Sequence, residues 1–264
     1  MTLDDPLAEA LRLVSIASSR GVVVRLMGGL AFHAQAPTWT ARVSRDGRDI
    51  DLATRSDDRK ALSELLIGEG YTPDRQYNAL YGHKQLYFVD EARLRPVDVL
   101  VDRLEMCHAF SFRDRLTIAS PTLPLAELLL TKLQIVKINR KDVLDALVLL
   151  AEHPLAGDDG APDARTGQGA INVPRILSFT SNDWGWWRTV TGNLAGLRAF
   201  VDGELAPGDL DTGAPLPFDL LAQIDALASA IDTAPKSTKW KLRARVGERM
   251  PWYEEPEEIG HGRG

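Results

Sequence analysis

The chain has 264 residues, 44% of them hydrophobic, and a formal net charge of −6. That suffices for a sizeable core, and it excludes a global attraction to nucleic acid, which would need a local basic patch. Cys107 is the only cysteine, which excludes an intramolecular disulfide and fits a reducing compartment.

The N-terminal stretch MTLDDPLAEALRL is acidic and amphipathic, with no basic region of the kind that opens a secretory signal. No run approaches the roughly 18 apolar residues of a membrane span. A soluble, cytoplasmic protein without membrane partners is the expectation. Residues 7–18 carry Leu7, Leu11, Val14 and Ile16 near helical spacing, and 22–27 contains three consecutive valines that favour a strand. Gly28-Gly29 closes that strand, and a helix over 30–35 follows, bounded by Pro37. A glycine pair at such a turn lets backbone N–H groups approach a phosphate at a helix N-terminus. Residues 37–48 are expected to form a loop.

A second strand is expected over 49–53, where Asp49 and Asp51 are two positions apart. Alternation along a strand places both on one face. Adjacent acids repel, and a hard divalent cation relieves that repulsion. Ser56-Asp57-Asp58 then offers caps for a helix through Leu66, ending near Gly68 and Gly70. Strands are expected over 85–89, 94–101 and 115–118. Asp98 lies inside the apolar run Val97-Asp98-Val99-Leu100-Val101, a costly place for an acid unless something neutralises it. Pairing with Arg93 or Arg95, or exposure on an edge strand, is the alternative to a third metal ligand.

The strongest helical signal, LAELLLTKLQIVKINRKDVLDALVLLAEH, follows Pro121 and Pro124. It divides into two helices, because Asn139 is a good N-cap with Asp142 three residues on. Lys132 interrupts the apolar positions Leu129, Leu130, Leu133 and Val136, so it must snorkel or find an anion. Residues 155–170, rich in Gly, Asp and Ala, read as a flexible linker. More helices are expected around 173–178, 184–200 and 220–232, and EEPEEIGHGRG reads as a solvated acidic tail. Trp184 and Trp187 share a helical face suited to packing the C-terminal part onto the N-terminal one; a base-stacking platform is the alternative. Lys236, Lys239, Lys241, Arg243, Arg245 and Arg249 around Trp240 read as a solvated face, or else as an RNA-tracking patch. No Cys/His spacing suggests zinc, and no Walker lysine follows the glycines.

Gly28-Gly29, Asp49-Ile50-Asp51-Leu52 and Asp98 together resemble the nucleotidyltransferase superfamily of DNA polymerase beta. Leu128 to Leu133 followed by Arg140-Lys141-Asp142-Val143-Leu144-Asp145 is similar to the AbiEii/MenT branch of minimal nucleotidyltransferases, which includes toxins of type IV toxin–antitoxin pairs. The resemblance covers roughly residues 20–150. It implies an α+β fold, a nucleotidyltransferase-like mixed β-sheet flanked by helices and followed by a mostly helical C-terminal part. The expected divisions are a catalytic core over 1–120, a helical pair over 121–154 completing the NTP site, a linker over 155–170, a helical region over 171–250 and a tail over 251–264.

The implied activity is Mg²⁺-dependent transfer of a nucleoside monophosphate from an NTP to an acceptor. By the resemblance the acceptor is tRNA, with a protein or small-molecule hydroxyl as the alternative, and a cognate antitoxin is an implied partner. Asp49, Asp51 and Asp98 would be catalytic and hold two Mg²⁺ ions, or Mn²⁺. Gly28, Gly29, Lys132 and Asp142 would bind the NTP. The rival reading is a catalytically weak nucleotide-binding or protein-interaction module of a regulatory complex.

Overall fold

The computed structural model describes residues 2–36, 49–160, 169–204 and 216–256. The expected loop over 37–48 therefore lies outside the described residues. In chain order the first part runs α1 (Pro6–Ser19), β1 (Val24–Met27), α2 (Gly28–Gln35), β2 (Ile50–Thr54) and α3 (Arg59–Gly68). It continues with β3 (Thr72–Pro73), α4 (Arg75–Tyr81), β4 (Gln85–Asp90) and β5 (Arg95–Val101). The five strands form one mixed sheet in the order β1-β2-β5-β4-β3. The β2–β5 pair is parallel, and every other neighbouring pair is antiparallel.

Alternation gives the sheet two unlike faces. On one, Ile50, Leu52, Val97, Val99, Leu86 and Phe88 are buried in a continuous core that includes Ala10, Leu13 and Ala17 of α1 and Leu62 and Leu66 of α3. On the other, Asp51, Asp98 and Tyr87 are only partly buried. β5 is the central strand, so Asp98 is not on a solvated edge. The outer edge of β1 is covered, because Leu26 N–H donates to Pro121 O at 2.9 Å and Leu123 N–H donates to Leu26 O at 3.0 Å.

The second part begins with the hairpin β6 (Arg103–Glu105) and β7 (Ala109–Ser111). It continues with α5 (Leu125–Leu133), α6 (Arg140–Glu152), β8 (Leu155–Ala156), β9 (Ile171–Asn172) and α7 (Val173–Thr180). Then come α8 (Trp184–Ala199), α9 (Leu220–Thr233) and α10 (Thr238–Ala244). The architecture is α+β, a mixed sheet flanked by helices with a mostly helical C-terminal part. The break between α5 and α6 is where capping chemistry puts it: the Asn139 side chain accepts from Asp142 N–H at 3.0 Å.

Several local expectations are corrected. Residues 115–118 form no strand; a single 3-10 turn, Arg113–Arg115, stands there. Arg115 is drawn inward to Glu127 at 2.8 Å and Asp159 at 2.6 Å. Asp58 holds the cap position of α3 without capping it, because its carboxylate is engaged by Arg55 at 2.6 Å. Helix α4, which carries no long apolar pattern, is instead set by local bonds. Asp74 caps it through Tyr77 N–H at 2.9 Å, and the Asn78 side chain grips the Tyr87 backbone at both N–H (2.7 Å) and C=O (3.0 Å).

The stretch 155–170 is anchored at its described ends. β8 pairs in parallel with β9, and the Asp159 carboxylate meets both Arg115 and Asn172. The start of the tail also packs: Trp252 meets Trp184 edge-on at 6.2 Å, and Glu254 N–H donates to Cys107 O at 3.0 Å. Among the described residues, no helix is long and apolar enough to cross a membrane.

Buried polar bonds tie the helices of the second part together. The Asn193 amide donates to Leu133 O and Ile135 O, both at 2.9 Å, which satisfies carbonyls at the end of α5. Glu127, fully buried, pairs with Arg115 and with Arg175 of α7 at 2.7 Å.

Candidate active site

The registers of β1, β2, β5 and β4 place Met27, Asp51, Asp98 and Tyr87 in one row across the sheet. Directly after Met27 the chain turns into α2. Gly28 makes that turn with φ +62°, and a methyl group in its place would lie 1.8 Å from Asp51 Oδ2. Two independent reasons therefore demand glycine: the left-handed backbone, and the carboxylate filling the space a side chain would take. Met27 offers no side-chain cap to α2, which leaves the first turn of the helix as donor chemistry for an anion.

Asp51 and Asp98 are register partners on adjoining parallel strands. Burial, then the charges of Asp98 and Asp49, push the Asp51 carboxyl from 3.8 up to about 7, while Lys132 and Lys141 pull it down. Asp98 is held from the opposite side, its Oδ1 accepting from Gln85 Nε2 at 2.6 Å. Asp49 lies one residue ahead of β2 and is exposed. The expected strand placement of Asp49 is thus corrected, although its charge still reaches Asp51. Among the described residues, no three His, Cys, Asp or Glu side chains are gathered into a ready-made metal cage. What the sheet builds is an in-register pair of carboxylates, with Asp49 at its margin. That pair is suitable donor chemistry for a hard divalent cation, and a cation would relieve the repulsion that raises Asp51.

Lys132 and Asp142 do meet. Lys132 Nζ lies 2.6 Å from Asp142 Oδ1 and 3.1 Å from Asp145 Oδ2, and 5.2 Å from the centre of the Phe32 ring of α2. Burial would lower its pKa, but Asp145 and Asp142 outweigh burial and the net shift is upward. Lys132 is therefore a fixed positive charge beside the acid row, oriented by two carboxylates. Asp142 combines both roles that its position suggested: its N–H is capped by Asn139, and its carboxylate holds the lysine. Asp145, buried at 2% exposure, is the second holder.

Lys141, at the start of α6, was not singled out as a site residue by the sequence, yet its charge acts on Asp51. The available signal was its place between Arg140 and Asp142 at a capped helix start. Also missed were Gln85, the rings of Tyr87 and Tyr77 beside Asp98, and Tyr81, whose ring centre lies 5.0 Å from that of Tyr77; nothing in their spacing reveals them before the register is known.

The tryptophans are not a base platform. Trp186, 5% exposed, packs α8 onto the hairpin and α7 through His108 (5.0 Å), Phe179 (4.9 Å) and Phe110 (5.8 Å). Trp184 and Trp187 instead face Trp252 and Trp240, which corrects the expected role of that pair. Much of the basic segment is committed locally: Lys236 to carbonyls ending α9, Lys239 to Asp183, and Arg243 to Gly247 O, Met250 O and Pro251 O.

No protein-family model matches the chain, and no curated protein matches its sequence significantly. Among solved structures, an antigenic nucleotidyltransferase-like protein from Paracoccidioides brasiliensis aligns over 90% of this chain and 97% of its own, at 13% identity and TM-score 0.40. A STING-associated CdnE c-di-GMP synthase from Capnocytophaga granulosa aligns over 86% of this chain and 81% of its own, at 16% identity and TM-score 0.28. Similarity at that level fixes neither family nor activity for this chain, and the functional reading rests on the site.

Proposed function

We propose that the chain is a nucleotidyltransferase that moves a nucleoside monophosphate from an NTP to an acceptor hydroxyl. The observation that carries this is the in-register pair Asp51 and Asp98 beside a glycine turn whose Cβ space is filled by the Asp51 carboxylate. Asp51 and Asp98, with Asp49 at the margin, would hold Mg²⁺ or Mn²⁺. When bound, such ions supply Lewis-acid polarisation of the phosphate and charge neutralisation of the leaving pyrophosphate.

The chain's own groups account for the rest. The N–H groups at Gly28 and Gly29 meet phosphate oxygens, and Lys132 and Lys141 neutralise the triphosphate. The acceptor oxygen attacks the α-phosphorus, the bond to the bridging oxygen of the β-phosphate breaks, and pyrophosphate leaves. Asp98, held by Gln85, would take the acceptor's proton. The tRNA acceptor and the antitoxin partner rest on the AbiEii/MenT resemblance alone.

The test is incubation of the protein with α-labelled NTPs, Mg²⁺ and separate pools of total RNA, protein lysate and small molecules. Label should enter one pool, and Asp51→Ala with Asp98→Ala should abolish it while the circular dichroism spectrum is unchanged. Label entering only protein sinks the tRNA acceptor. Absence of both transfer and NTP binding favours the interaction-module reading.

A further inference from the structure

We propose that the tyrosines beside Asp98 form an acceptor subsite that stacks a nucleobase; this rests on the transfer reading and gives it an acceptor class. The row across the sheet has a direction. At its β1 end stand the Gly28 turn and, through Phe32, Lys132, the groups suited to phosphates. At its β4 end stands Tyr87, the register partner of Asp98. A triphosphate lying toward α2 leaves the β4 side for the acceptor.

That side is aromatic. The Tyr77 ring centre lies 6.3 Å from that of Tyr87 and 5.0 Å from that of Tyr81. Tyr77 is buried at 8% exposure, whereas Tyr81 is 39% exposed and its neighbour Leu80 61% exposed. The wall is rigid, because Asn78 ties α4 to the Tyr87 backbone at both N–H and C=O. Tyr87 and Asp98 are register partners on one face of the sheet, so ring and carboxylate border the same space. The rings thus run from Tyr87 at Asp98 through Tyr77 to the exposed Tyr81, an arrangement that suits a ligand with a flat π face at one end and a hydroxyl at the other, which is the construction of a nucleoside. Tyrosine stacks any base without reading its edge, so affinity here comes from stacking, in keeping with a chain of net charge −6.

The nucleobase can belong to an RNA end or to a free nucleotide, and a binding experiment separates the two. Fluorescence anisotropy of a 5′-labelled single-stranded RNA hexamer is measured in EDTA without NTP, so that neither metal nor transfer is needed. Wild-type protein should bind; Tyr81→Ala should weaken binding by about tenfold, at the lower end of what losing one base–aromatic stack costs. Tyr81→Phe should retain binding. A hexamer with the same phosphates but an abasic 3′ end should bind wild type as weakly as the intact hexamer binds Tyr81→Ala. Adenosine monophosphate competing as well as the hexamer assigns a free nucleotide; poor competition assigns an RNA end. Equal binding by wild type and Tyr81→Ala, equal binding of abasic and intact hexamers, or no binding of either probe overturns the subsite. Because Tyr81 is exposed at the end of α4, its variants should fold, and an unchanged melting temperature checks this. Transfer that persists while binding ignores Tyr81 removes the subsite alone; base binding without any transfer removes the enzyme reading alone.

Discussion

Replacing Asp51 by asparagine should stabilise the metal-free protein above neutral pH. Burial and the charges of Asp98 and Asp49 raise the folded carboxyl from 3.8 to about 7. Between those values the folded state holds a proton that the unfolded state has released, so stability falls as pH rises through this window and the full penalty stands above it. A pKa rise of that size corresponds to about 4 kcal/mol as an upper bound. Asp51 is partly accessible, and water and local relaxation take back part of this, leaving about 1–2 kcal/mol. With an unfolding entropy near 2.1 cal/mol/K per residue, a chain of this length should gain roughly 2–4 °C in melting temperature. The assay is scanning calorimetry of wild type and Asp51→Asn in EDTA at pH 4 and pH 8. The difference should be near zero at pH 4 and favour the variant at pH 8. Adding Mg²⁺ at pH 8 should raise the wild-type transition and leave the variant's in place. A variant less stable than wild type at pH 8 without metal would refute the electrostatic reasoning.

Gly28→Ala meets both the φ of +62° and the 1.8 Å approach to Asp51; it should lower stability by about 1–3 kcal/mol in urea titration and abolish transfer. Lys132→Met leaves Asp142 and Asp145 without their shared cation and should destabilise by about 3–5 kcal/mol. Lys132→Met combined with Asp142→Asn and Asp145→Asn should recover most of that stability in the same titration, yet bind NTP weakly by calorimetry. His108 is buried against Trp186 and bonded to Thr189 Oγ1 at 2.9 Å, and burial lowers its pKa to about 4. It stays neutral while the unfolded chain takes up a proton near 6.5, so stability present above pH 6.5 should be lost toward pH 4. His108→Gln should flatten that loss in acid-unfolding curves.

The elements legible in the sequence were those with a local cause. The valine run and glycine pair announced β1 and its turn, Asn139 announced the break between α5 and α6, and Asp98 in an apolar run announced a buried strand with something to neutralise. What stayed hidden depends on register. That Asp98 is the neighbour of Asp51 follows from β2 pairing in parallel with β5 across the 40 residues between the two strands, which no periodicity reveals. Gln85 and Tyr87 became site residues for the same reason. Asp58 shows the opposite failure: a residue type well suited to capping was taken by Arg55, a competition that composition does not rank. In the Trp184–Trp187 segment the helical face was read correctly, but the partner was not, because Trp186 points to the hairpin while its neighbours turn to the C-terminal end.

The claim on which the account depends is that Asp51 and Asp98 bind one divalent cation together. Electron paramagnetic resonance of Mn²⁺ titrated into wild type, Asp51→Asn and Asp98→Asn, each with a non-hydrolysable NTP analogue, tests it directly. The account predicts attenuation of the free Mn²⁺ signal by wild type and its near-complete return in either variant. Equal attenuation by all three proteins would contradict it.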